Sequence, residues 1–270
     1  MMSPKLAVIQ FPGSNCEYET RRAAAQYGFD AEIVRWTVDR ETFDRFDAYI
    51  LPGGFSYQDR VRAGVIASKL PVLQFLAEAA EKGKLILGIC NGCQILAEAG
   101  LVPGLGGKAA ISIALAHNAR QNRPVGFICD WVNVKVQTPK ASVFTRYFSE
   151  NDIFPIPINH GEGRFVLSPE VEAVLPTLST VVYCSAEGQI ETEFPINPNG
   201  SQHNLAGMGS QKGNVFAIMP HPERAAFLKQ VPESAGKWGL DKIEGLRTGS
   251  QKDGPWAPLF VSMADFLTKG

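Results

Sequence analysis

A chain of 270 residues is long enough to bury a full core alone, and 45% apolar with 20% charged residues is the balance of a soluble globular enzyme, not of a disordered chain. The 26 Lys and Arg against 27 Asp and Glu, with no run of like charge, show none of the basic excess expected of a protein built to bind nucleic acid or an anionic membrane surface.

The first hundred residues alternate strand and helix. Lys5 to Phe11 is a short apolar strand, and Ser14-Asn15-Cys16-Glu17 has the S-x-x-E form of a capping box, opening a helix through Ala23, Ala24 and Ala25 that stops at Gly28. Ala31 to Trp36 and Asp47 to Leu51 read as strands, the latter ended by Pro52-Gly53-Gly54. A long helical pattern runs from Val61 to Lys82, followed by a strand from Lys84 to Ile89 and a helix from Asn91 to Ala99 that ends at Gly100. This alternation predicts an α/β fold with a mostly parallel sheet and helices on both faces.

From Val125 the pattern changes. Phe127 to Val136 alternates like a half-buried antiparallel strand, and β-like pieces continue through Ile156, Phe165 and Val181 to Cys184, predicting a β-rich excursion at one end of the sheet. A buried strand, Asn214 to Met219, leads into Pro220-His221-Pro222-Glu223 and a further helix. The polar, Gly-rich stretch from Ser234 to Trp256 reads as a surface loop, and Ala257 to Leu267 as a short amphipathic helix. With no repeat, low-complexity tract or linker, residues 1–270 form one domain.

No stretch approaches the ~18 apolar residues that span a bilayer, and Leu6 to Phe11 is too short for a signal-peptide core. Five cysteines, an odd number lying mostly in apolar segments, predict reduced thiols in the cytoplasm.

The segment Leu85 to Leu96 (LILGICNGCQIL) supports two kinds of chemistry. Cys90 and Cys93 have the spacing of a redox pair or half a zinc site, but Cys16, Cys129 and Cys184 are scattered singly and the histidines are isolated, so no second ligand pair exists and no metal is expected. Gly88 to Gly92 also spells G-x-C-x-G, a strand-to-helix nucleophile elbow. There the Cys90 sulfur sits at a helix N-terminus that favours thiolate, and the N–H of Asn91 can serve an oxyanion. Cys93 then reads as a core residue of the helix.

A nucleophilic cysteine needs a base and the base an orienter. His117, His160 and His203 sit in loop-like sequence, whereas His221 follows a buried strand at the sheet edge where ligands of open α/β sheets bind. In His221-Pro222-Glu223 the proline stiffens an extended tripeptide, letting Glu223 orient the imidazole. Gly53 and Gly54 follow a strand at the same edge and could give a second oxyanion N–H or merely a tight turn; two adjacent glycines also permit a peptide flip at small backbone cost.

G-I-C-N-G-C-Q at 88 to 94 with H-P-E at 221 to 223 resembles the class I, triad-type glutamine amidotransferases. P-G-G-F-S-Y at 52 to 57, R-A-G-V-I-A at 62 to 67, N-H-G-E-G-R-F at 159 to 165, N-P-N-G-S at 197 to 201 and M-P-H-P-E-R-A at 219 to 225 are similar, within that family, to the glutaminase subunits of phosphoribosylformylglycinamidine synthase. The resemblance implies a flavodoxin-like fold, glutamine as substrate, and ammonia passed to formylglycinamide ribonucleotide for an ATP-dependent amidation in purine biosynthesis. It implies Cys90 as nucleophile, His221 as base and acid, and Glu223 as orienter. Gln94 and His160-Gly161-Glu162 would hold the glutamine α-amino and carboxylate groups. The family usually has glycine at the position of Gln58 and an aromatic residue at that of Cys93.

No G-x-x-x-x-G-K-[ST] occurs, the nearest approach being Gly107-Lys108, which lacks the leading glycine at Val102 and the hydroxyl at Ala109. The glycines at 207, 209 and 213 miss G-x-G-x-x-G by one residue. No cofactor is therefore expected in this chain; ATP and Mg2+ belong to a partner synthase subunit, accompanied by a small third subunit. The rival reading, a stand-alone cysteine-elbow hydrolase or stress protein of the same shape, usually carries histidine after the cysteine, where this chain has Asn91.

Overall fold

A computed structural model describes residues 3–107, 110–121, 123–150, 152–249 and 253–269. The first half runs β1 (Lys5–Gln10), α1 (Glu17–Gln26), β2 (Asp30–Arg35), α2 (Arg40–Asp44), β3 (Ala48–Leu51), α3 (Pro71–Glu81), β4 (Leu85–Ile89) and α4 (Asn91–Glu98). It continues with β5 (Ile113–Ala116), β6 (Ala119–Arg120), β7 (Arg123–Pro124), β8 (Ile128–Gln137), β9 (Phe154–His160), β10 (Arg164–Leu167) and α5 (Pro169–Val174). Last come β11 (Thr180–Cys184), β12 (Leu205–Gly209), β13 (Val215–Ile218), α6 (Gly236–Thr248) and α7 (Ala257–Lys269).

Nine strands make one sheet in the order β2-β1-β3-β4-β13-β12-β11-β8-β9. The pairs from β2 to β13 are parallel and those from β13 to β9 antiparallel. The parallel half has the flavodoxin-like strand order, and β12, β11, β8 and β9 continue it, whereas Phe165 lies in β10, which pairs with β5 in a separate two-stranded sheet, as β6 does with β7. Every residue of β3, β4 and β13 is buried, as strands covered on both faces must be, whereas β8 is half-buried. One hydrophobic cluster runs from Leu6 in β1 to Ala264 in α7.

The structure departs from the sequence expectations at five places. The helix expected from Val61 exists only as α3, after a short 3-10 turn at Ala67–Lys69. Val61 and Gly64 have positive φ, and Pro71 forces Leu70 into extended backbone, ψ 152°. The capping box does not form: α1 begins at Glu17 itself, which accepts a hydrogen bond from Gln10 Nε2, while Ser14 Oγ accepts from the Phe11 N–H.

Downstream, His221 is followed by short 3-10 turns instead of a helix. The Gly-rich stretch expected as a loop carries α6 over most of its length; Gly239 allows close packing there, because a Cβ would lie 2.0 Å from the Glu233 carbonyl. Strand β12 was hidden by its glycines, of which Gly207 is needed where a Cβ would come 2.8 Å from the Ala217 carbonyl oxygen.

Candidate active site

Strands β4 and β13 run parallel with Ile89 opposite Ile218, and the Cys90 N–H donates to the Ile218 carbonyl at 2.8 Å. The residues that leave these two strands, Cys90 and His221, therefore emerge side by side. Cys90 sits at φ 51°, ψ −106°, a conformation costing a non-glycine residue about 1 to 3 kcal/mol. The flanking glycines make it possible: a Cβ on Gly88 would lie 2.5 Å from the Gly92 carbonyl oxygen, and one on Gly92 2.0 Å from that of Leu51. Helix α4 starts at once and all its residues from Asn91 to Glu98 are buried, so the elbow is fixed from below.

His221 and Glu223 are 2% and 0% exposed, and Nδ1 lies 2.6 Å from Oε1. Where an extended His221-Pro222-Glu223 was expected, Pro222–Arg224 forms a 3-10 turn, which brings the carboxylate back onto the ring. The His221 N–H donates to the Pro157 carbonyl on β9. Nε2 makes no hydrogen bond to the protein, and His221 Cε1, Cys16 Sγ and Cys90 Cβ converge on Gly53, 2.8, 3.0 and 3.4 Å from where a Cβ there would lie. Burial alone would lower the imidazole pKa; Glu223, the Cys90 sulfur and the thiol contacts reverse this and hold it well above its ordinary value. Cys90 Sγ lies 3.6 Å from the Asn159 carbonyl.

Cys16 beside the imidazole was not anticipated; the signal was its place in the loop leaving β1, at the same sheet edge. Its thiol is pushed up by burial, and Arg224 Nη2 lies 3.3 Å from the sulfur. Among the described residues Cys16, His221 and Glu223 have donor atoms within 4.8 Å of one another, the spacing of a metal site. The Arg224 guanidinium, 4.0 Å from Glu223 Oε1 as well, opposes a further cation there. Cys93 is wholly buried and its thiol is raised well above the usual value by that burial, as a core residue should be.

Gly53 lies against the imidazole, where a Cβ would come 2.8 Å from His221 Cε1. Its carbonyl accepts from the N–H groups of both Asn15 and Cys16, and Gly54, at φ 151°, has no room for a Cβ beside Gly13 and Ser14. A flip of the Gly53–Gly54 peptide therefore breaks two hydrogen bonds and is not the cheap motion that adjacent glycines suggest. Asn91 Oδ1 accepts from the Ser56 N–H, and Nδ2 donates to Gln94 Oε1 and to Asp59 Oδ1.

Gln94 and Glu162 meet directly, Gln94 Nε2 donating to the Glu162 carbonyl at 2.6 Å, while Glu162 Oε2 accepts from the Ala63 N–H. His160 is not part of that contact. It is buried, its Nδ1 is 3.2 Å from Asn118 Oδ1, and burial followed by the charge of His221 lowers its pKa to about 3, so it is neutral. The Gly161 carbonyl accepts from the Asn118 N–H, and Asn118 Nδ2 donates to the His160 carbonyl. His203 pairs with Glu172 at the surface, and Lys108 and Ala109 lie outside the described residues.

Residues 3–267 match the CobB/CobQ-like glutamine amidotransferase domain. Phosphoribosylformylglycinamidine synthase subunit PurQ of Methanothrix thermoacetophila is 46% identical over 84% of this chain and 89% of its own length. The Aquifex aeolicus protein of the same name is 40% identical over 82% and 91%. A chain of PurLQS from Thermotoga maritima aligns over 91% of this chain and 100% of its own, with 33% identity and a TM-score of 0.68. The glutaminase domain of Trypanosoma brucei CTPS, at 13% identity and TM-score 0.55, shares the fold.

Proposed function

This chain belongs to the PurQ family, the glutamine amidotransferase subunits of phosphoribosylformylglycinamidine synthase in purine biosynthesis, and we propose that it carries out that reaction through Cys90, His221 and Glu223. The observation that carries the assignment is the buried Glu223–His221 contact at 2.6 Å, with the imidazole and Cys90 meeting at Gly53. Glu223 fixes the tautomer and stabilises the imidazolium that forms when His221 takes the Cys90 proton, and the resulting thiolate attacks the γ-amide carbon of glutamine. The oxyanion meets the N–H groups of Asn91 and Gly54, with Gly53 keeping the backbone close to the imidazole. His221 then protonates the departing ammonia, and water hydrolyses the γ-glutamyl thioester to glutamate. Gln94 and Glu162 hold the amino-acid end, and His160 and Gly161 shape the segment that carries Glu162.

Ammonia passes to a synthase subunit that binds ATP and Mg2+ and converts formylglycinamide ribonucleotide to formylglycinamidine ribonucleotide. The Thermotoga maritima relative was solved as PurLQS, which supports a synthase partner and a small third subunit for this chain. The five cysteines are all free and no described helix is long and apolar enough to cross a membrane, which fits a cytoplasmic site of action.

The test is Cys90→Ala in the reconstituted complex with ATP and acceptor. Glutamine-dependent product should vanish and added ammonium salt should restore it. Product from glutamine with the variant, or failure of ammonium to restore product, would overturn the division of labour.

A further inference from the structure

We propose that Asp59, acting with Glu162, binds the α-ammonium group of glutamine and sets the preference of the site for the free amino acid. This rests on the reading of Cys90 as the residue attacked by the γ-amide. With that amide at the sulfur, the substrate presents an ammonium group at its far end, and a partly buried cation requires a carboxylate partner.

The loop after the Gly53–Gly54 turn supplies one. Tyr57, Gln58, Asp59 and Val61 all have φ between 51° and 73°, left-handed values that fold the chain back on itself. The result is that Asp59 Oδ1 reaches Asn91 Nδ2, at 3.2 Å, on the residue immediately after Cys90. The same Nδ2 donates to Gln94 Oε1 at 2.9 Å, and Gln94 Nε2 donates to the Glu162 carbonyl. Asp59, Gln94 and Glu162 thus belong to one hydrogen-bonded network beside the elbow.

The charges are uncompensated. Arg60 is turned to Gln58 Oε1, and Arg62 is held by Glu98. Among the described residues no Lys or Arg pairs with Asp59 or Glu162; only the exposed His117 approaches Glu162, at 3.6 Å. Burial, and then the charge of Glu162, raise the Asp59 carboxyl to about 6. The sheet edge that holds these acids also holds the buried Nε2 of His221, which has no hydrogen-bond partner. An ammonium group with three donors fits two carboxylates and an amide oxygen, and its positive charge lowers the mutual repulsion that the free site carries.

The experiment compares glutamine with its des-amino analogue, 4-carbamoylbutanoate, in the reconstituted complex. Asp59→Asn keeps an oxygen for Asn91 and removes the charge. It should raise KM for glutamine about 10- to 100-fold, with a smaller fall in kcat, and reduce the preference for glutamine over the analogue by a similar factor. Glu162→Gln should shift the preference in the same direction. The rate of Cys90 alkylation by iodoacetamide should stay within about threefold of wild type, a readout of an intact elbow. An unchanged KM, or equal losses on both substrates with the preference preserved, would overturn the assignment. A wild-type complex that hydrolyses no glutamine would instead remove the Cys90 reading, and this inference with it.

Discussion

The parallel half of the sheet and its antiparallel half meet at one site and contribute differently to it. Strands β1, β3, β4 and β13 end along a common edge, and the loops that leave them bring Cys16, Gly53, Gly54, Cys90 and His221 together as side chains and free N–H groups. The antiparallel strand β9 contributes main chain: the Pro157 carbonyl takes the His221 N–H, and the Asn159 carbonyl faces the Cys90 sulfur. Cys90 and His221 thus hang from fully buried strands, and the β8–β9 pair, tied down through Asn118, props them from the side. The difference teaches that side-chain chemistry is mounted on the buried parallel strands, while the antiparallel pair supplies the backbone acceptors that hold it in place.

The sharpest way to break this contrast is Glu223→Gln, a change confined to the parallel half. It should lower glutaminase turnover about 1,000- to 10,000-fold, with the fold retained by circular dichroism, because the imidazole loses its orienting charge. Turnover within tenfold of wild type would mean that Glu223 does not orient the base. Asn118→Ala addresses the other half. It removes donors from the His160 and Gly126 carbonyls and an acceptor from the Gly163 N–H. Urea unfolding should show a loss of about 2 to 3 kcal/mol, with turnover falling about tenfold as the β9 segment shifts. Unaltered stability would show that the hairpin is held by something else.

A pH series sharpens the comparison at the substrate side. The Asp59 carboxyl, raised to about 6 by burial and by Glu162, must ionise to bind an ammonium group. KM for glutamine should therefore fall as pH rises toward 6 and level off above it, being about tenfold higher at pH 5 than at pH 7. The groups facing Asp59 are Asn91 and Glu162, the latter with His117, while Arg60 and Arg62 point to other partners. For folding the sign is the reverse of the usual carboxylate case. The native state binds this proton more tightly than the unfolded chain, so Asp59 makes its stabilising contribution below pH ~4 and loses it as pH climbs to about 6. A KM that does not change between pH 5 and 7 would remove Asp59 from substrate binding. The smallest effect belongs to Cys93→Ala, which should leave turnover within about threefold and cost about 1 kcal/mol, the mark of a core residue. A loss comparable to that of Cys90→Ala would revive the paired-cysteine reading.

The parallel half was legible because its physics is local. Buried strands read as apolar runs, and Gly88, Gly92 and the Gly53–Gly54 pair mark places where backbone passes too close for a Cβ. Those cues lead to Cys90, Asn91, His221 and Glu223 without any knowledge of contacts. What stayed hidden depends on contacts between distant segments. Cys16 reaches His221 across more than two hundred residues of sequence, and Asp59 joins the site through a left-handed loop that no propensity signals at Tyr57, Gln58 or Val61. Strand β12 and helix α6 were masked by glycines whose role is close packing, a reason visible only once the neighbour is in place. His160, which the motif suggested as a substrate ligand, is buried and neutral, with Nδ1 beside Asn118 and Nε2 without a protein partner among the described residues.

The complete burial of helix α4 bears on how the protein would record its own activation. Beyond its first turn its hydrogen-bonded amides are shielded and exchange for deuterium only through large openings, whereas the Phe55 to Val61 segment, mostly exposed and left-handed at Tyr57, Gln58, Asp59 and Val61, can exchange through small excursions. Binding of glutamine or of a partner should accordingly be written as altered protection in that segment, against the later turns of α4, whose slow deuterium clock serves as the internal reference.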